Sequence, residues 1–190
     1  VEDVVKGGGT ISVKHSETAK DASGSVVSKY EFTSERTEKK DGKITEISAT
    51  KVAGDVREKS ETTILNMKDG TYSKDVSTTT TSPEGTKQKD VSTSSSKLED
   101  GTKTTESVTE KVKDSSGKEV SSSERSSEVV DTSVEKSEKV TEKTSAGGSV
   151  SESVKASIDA KDGSSSTEAE VSMKDGSVVK AESTTTVAAE

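Results

Sequence analysis

The sequence predicts an all-β fold, an antiparallel up-and-down meander of about twelve long strands. Three observations carry that prediction. Turn signals recur roughly every fifteen residues, most of them an acidic residue followed by glycine: Asp41-Gly42, Asp69-Gly70, Glu84-Gly85, Asp100-Gly101, Asp162-Gly163 and Asp175-Gly176. Asp-Gly readily places φ > 0 at the centre of a type I′ turn, whose twist matches that of paired strands. Between the turns the chain is rich in Ser, Thr and Val, with Leu only at Leu65 and Leu98. No apolar spacing of i, i+3, i+4 is sustained, so helix is excluded. Finally, apolar and polar residues alternate: Val150, Val154, Ala156, Ile158 and Ala160 share one parity against Ser151, Ser153, Lys155 and Asp159.

In chain order, VEDVVK and Gly7-Gly8-Gly9 form a flexible N-terminal segment, 1–9, of a single domain spanning 1–190. Strands are then expected at 10–20, 25–40, 43–53, 56–67, 71–82, 86–98, 102–113, 118–130, 132–145, 149–160, 164–173 and 177–189. Two boundaries are open. Ala53-Gly54-Asp55 is a plausible turn, whereas Val130-Asp131-Thr132 has no glycine, so 43–67 and 118–145 could each be one strand or two. The stretch 71–101 holds two near-copies, TYSKDVSTTTTSPEG and TKQKDVSTSSSKLEDG, joined head to tail.

Composition bounds the architecture. Of 190 residues only 24% are hydrophobic and 2% aromatic. Val, Ile, Leu and Phe together fall below the ~20% that usually marks disorder. The regular turns argue for order all the same. Apolar alternation is clean near the N-terminus (Ile11 with Val13; Val26, Tyr30 and Phe32) and in 149–189. The middle, 71–113, offers little beyond Tyr72, Val76, Val91, Leu98, Val108 and Val112. A closed barrel would hide a Val/Ala/Ser/Thr interior and is favoured over an open single-layer sheet. A β-solenoid of about fifteen residues per coil ranks third. Closure would join the two ends into one apolar cluster and make 71–113 the least protected region.

Functional signals are sparse. The net charge of −8 comes from 28 basic and 36 acidic residues that are interspersed, with no basic stripe for nucleic acid. There is no cysteine. No apolar run is long enough to span a membrane. The reading is of a soluble chain without a targeting signal, and it assigns no compartment. His15 is the sole histidine and sits between Lys14 and Ser16, a solvent-facing position. No Gly-x-Ser-x-Gly elbow accompanies it. Asp21-Ala-Ser-Gly24 and Asp114-Ser-Ser-Gly117 lack the alternate acids of a calcium loop and read as turns. The threonines at 78–81 and 184–186 hint at an ice-binding array, a distant third among functions, since consecutive threonines point to opposite faces. No catalytic, cofactor or metal residue is therefore assigned, and the chain reads as a non-enzyme. No partner is identifiable beyond self-association through sheet edges, should the barrel be open.

Across 43–113 the Lys, Glu, Ser, Thr and Val composition, with Lys-Asp-Gly turns, resembles the single-layer sheet of the spirochaete outer surface lipoproteins. Over the whole chain the idealised turns, the mixed surface charge and the scarcity of Asn, Gln, Cys and Trp resemble computationally designed β-meanders and barrels. The second resemblance implies a structural scaffold with no natural ligand. The first implies a cell-surface or interaction protein presenting a broad polar sheet.

Overall fold

The computed structural model describes residues 9–161, 163–173 and 178–185. The expected turn at Asp175-Gly176 and the chain ends at 1–8 and 186–190 lie outside the described residues. Those described form β1 (Gly9–Lys20), β2 (Val26–Lys39), β3 (Gly42–Ala53), β4 (Val56–Met67), β5 (Tyr72–Ser82) and β6 (Gly85–Lys97). They continue through β7 (Gly101–Asp114), β8 (Glu119–Thr132), β9 (Glu135–Ala146), β10 (Ser149–Ala160), β11 (Ser165–Met173) and β12 (Val178–Thr185). All lie in one antiparallel sheet in sequence order, each strand hydrogen-bonded to its chain neighbours. Both open boundaries resolve into two strands. Gly54-Asp55 turns β3 into β4, and Ser133-Val134 turns β8 into β9.

The second of those turns has no glycine and is held by a side chain. Thr132 Oγ1 accepts the N–H groups of Val134 (3.3 Å) and Glu135 (3.1 Å) and donates to the Glu135 carbonyl (3.0 Å). A hydroxyl thus ties the chain back on itself where the backbone alone would not.

The Asp-Gly pairs do two different jobs. Gly70, at φ 90°, closes a three-residue loop. Its N–H donates to the Met67 carbonyl (3.1 Å) while Met67 N–H donates to Thr71 (2.8 Å), a type I turn followed by a left-handed residue. The Asp-Gly signal predicts the same conformation for Gly101, and there the structure differs. It is the first residue of β7 and has no positive φ. What requires glycine there is close approach, since an added Cβ would strike the Asp131 carbonyl and the Thr132 Cα on β8.

The favoured closed barrel is also corrected: the sheet is open. Among the described residues β1 contacts no strand but β2, and β12 none but β11. The register supplies the reason. Residues directly opposite in antiparallel strands share a face. Following the pairs across the sheet places Ile11, Val13, Tyr30 and Phe32 on one face, and Val150, Val154, Ala156 and Ile158 on the other. The two apolar sets could not line a common interior. A solenoid is excluded because the near-copies at 71–101 pair antiparallel, as β5 and β6.

No core results. No hydrophobic side chain among the described residues is buried, and Ile11 and Val13 are each 53% exposed. The accessible surface is 13191 Å², against about 8,600 Å² for a compact monomer of this mass. The apolar residues of the middle nevertheless align. One row runs Ile47, Thr62, Val76, Val91 and Val108 across β3 to β7, all half-buried. The expectation that the first strands are among the best protected does not hold for β1, which is exposed from Thr10 onward, and the side chains of 171–189 lie outside the described residues.

Two glycine substitutions separate the two roles. Gly101→Ala is expected to cost about 1–3 kcal/mol through overpacking against β8. Gly70→Ala should cost about 1 kcal/mol through its backbone conformation alone. Urea unfolding of both variants measures this, and a Gly101→Ala protein as stable as the parent would refute the close approach.

Candidate functional site

The strongest side-chain constellation lies at the centre of the sheet. β5 and β6 carry the same tripeptide, Asp75-Val76-Ser77 and Asp90-Val91-Ser92. Their antiparallel register centres on Val76 opposite Val91, so Asp75 faces Ser92 and Ser77 faces Asp90. The repeat therefore pairs with itself about a local two-fold axis. Ser77 Oγ donates to Asp90 Oδ1 (2.6 Å), and Ser92 Oγ donates to Asp75 Oδ1 (2.5 Å). Gln88 Nε2 donates to the second Asp90 oxygen, Oδ2, at 2.7 Å. Charge-assisted bonds this short are the stronger kind.

Around the constellation the hydroxyls continue. Thr63, Ser107 and Thr109 line the same shallow depression, with Glu61 at its edge. Ser94 and Thr105 join β6 to β7 at 2.6 Å on this face, and on the other face Ser60 and Thr78 join β4 to β5 at 3.4 Å. Each serine of the pair donates to a carboxylate of the facing strand, which makes it one half of a cross-strand bond.

His15 lies far from this centre, on the edge strand. Its Nε2 meets Glu17 Oε1 at 3.0 Å, and its ring centre stands 6.3 Å from that of Tyr30. Both members of the His15–Glu17 pair are more than half exposed. The carboxylate that the imidazole meets is two residues along the same strand, on the same face. That geometry orients a surface histidine.

Charged residues form their own cross-strand pairs. Lys89 and Glu110 stand directly opposite at 2.8 Å, with Lys87 3.6 Å from the same carboxylate. Arg125 and Glu142, also directly opposite, meet at 3.2 Å. The Lys89 hydrogen bond, with the charges of Lys87 and Lys89, holds the Glu110 carboxyl below its ordinary range. The Arg36 guanidinium does the same for Glu38, which lies 2.6 Å away. These pairs are half-exposed at the surface, and each contributes little to stability by itself.

The two Asp-x-Ser-Gly loops are built alike. Asp21 Oδ1 accepts the N–H groups of Ser23 and Ser25 and the Ser23 hydroxyl, and Asp114 Oδ1 repeats the set with Ser116 and Lys118. Those bonds, led by the serine hydroxyl in each case, lower both carboxyls. One oxygen of each carboxylate is thus engaged by its own turn. Among the described residues no group of three or more His, Asp or Glu side chains is placed to hold a metal ion. No helix among them is long and apolar enough to cross a membrane.

No family model, curated protein or solved structure matches the chain.

The central constellation is not apparent from the sequence read strand by strand, although its signal is present there. Two identical Asp-Val-Ser tripeptides joined by Ser82-Pro83-Glu84-Gly85 can meet only if the copies fold back as a hairpin. Their mutual bonds make a specific test. Ser77→Ala and Ser92→Ala should each destabilise by about 0.5–1.5 kcal/mol. Replacing Asp90 together with Ser77 should cost less than the sum of the two single changes. Additive losses in denaturant unfolding would mean that the bond contributes nothing.

Proposed function

We propose that this chain is a non-enzymatic structural β scaffold, of the idealised kind produced by design, with no natural ligand. The observation that carries the reading is the engagement of polar side chains with one another across strands. Hydroxyls bond carboxylates in the Asp75/Ser92 and Ser77/Asp90 pairs, and cations pair with acids in Lys89/Glu110 and Arg125/Glu142. Groups used in this way hold the register of a sheet. Strands of nearly equal length in strict sequence order, many joined by turns of two or three residues, agree with the same reading.

The open sheet favours a second reading, an interaction protein that presents a broad polar surface at the cell exterior. Both faces are wet, so both are accessible to a partner. The scaffold reading predicts that ester, phosphoester, glycoside and peptide reporters are consumed no faster with the protein than in buffer, and that His15→Ala changes nothing but charge. A reproducible activity that His15→Ala or Asp90→Asn abolishes would overturn it.

A further inference from the structure

We propose that the free edge of β1 pairs with β1 of a second copy, antiparallel and about a two-fold axis at Val13. Among the described residues β1, a 12-residue strand, is hydrogen-bonded on one side only, to β2. Edge strands are usually blunted by proline, bulges, covering elements or charged side chains, and of these the middle of β1 carries Lys14 and Glu17. Here the sole proline of the chain is Pro83, and the single irregularity of β1 lies at its far end, between Ala19 and Lys20. Ile11 and Val13, each 53% exposed, stand on one face of this edge. A second copy of the strand is the partner that satisfies its backbone and covers both side chains together.

The choice of register follows from charge. Antiparallel pairing about a two-fold axis keeps faces together, so only residues of like parity can meet. Centring on Lys14 sets two ammonium groups against each other. Centring on His15 opposes the two imidazoles and sets Val13 against Glu17. Centring on Val13 opposes valine to valine, Ile11 to His15, Ser12 to Lys14 and Thr10 to Ser16. Like centring on Ser12 it creates no like-charge pair and leaves the bulge at Lys20 outside the overlap, but it pairs the longer stretch, Gly9 to Glu17, where a Ser12 centre stops at His15. The contact is well below the ~1,200 Å² of a stable interface, so the dimer is weak and concentration-dependent. The association is isologous and closes at two copies.

The absence of cysteine makes the test clean. Directly opposed residues bring their Cβ atoms to about 4.5–5.5 Å, close to what a disulfide needs. With oxidised glutathione as the oxidant, Val13→Cys should form a covalent dimer at least ~10-fold faster than Ser16→Cys, whose position faces Thr10 in this register. Sedimentation equilibrium of the unmodified chain should show monomer passing to dimer and no further, and Val13→Lys should return it to monomer with unchanged circular dichroism. Equal cross-linking of the two cysteine variants would overturn the proposal. A chain monomeric at every concentration would do so as well. Growth beyond the dimer would overturn it in favour of β1 joining β12 of the next copy.

Discussion

A single-layer sheet depends on the hydrogen bonds between neighbouring strands, because no second layer lies behind it to bury its side chains. That constraint governs the rest of this molecule. Each unmade bond exposes a polar group, and each made one contributes on the order of 1 kcal/mol net. Hydrophobic burial, the main driving force for folding in ordinary domains, is weak here, since no hydrophobic side chain among the described residues is buried. Long strands in unbroken nearest-neighbour order follow, because each residue added to a ladder extends it without lengthening the loops.

Side chains then stabilise the ladder locally. The row through Ile47, Val76, Val91 and Val108 puts β-branched side chains against each other where the sheet is flanked most deeply on both sides. On the opposite face, the paired Asp-Val-Ser tripeptides lock β5 to β6 in a register that a shift of one residue would destroy. Such a shift would move every valine to the other face. Ion pairs such as Lys89–Glu110 and Arg125–Glu142 add further cross-strand contacts. The sheet is therefore specified by pairs of neighbours, and a partner outside the chain is not needed to explain any of them.

The strands are legible in the sequence because turn residues and β-branched runs are local signals. All twelve appear within a few residues of their expected places. Their faces are less legible, because parity passes from strand to strand through the turns. Lys40-Asp41 uses two residues and Lys68-Asp69-Gly70 three, and the difference decides which side chains end up together. Clean alternation in β1, β2 and β10 thus suggests one interior, whereas the register sends the two sets to opposite faces. The turn at Thr132 is obscure because a hydroxyl there does what glycine does elsewhere. The Asp-Val-Ser pair is hidden when the near-copies are read as a translation, since they are related by a local two-fold axis.

Hydrogen exchange resolved by segment tests most directly whether this sheet is held by its ladder and flanked centre rather than by a closed core. Amides in β5, β6 and β7 should exchange slowest, because strands lie on both sides of them and their opening disrupts two ladders. Protection should fall outward through β2, and in the dilute monomer the outward-facing amides of β1 should exchange fastest of all. Protection as high in β1 as in β5 to β7 would contradict the account, since it would require the first strand to share a core that an open sheet does not possess.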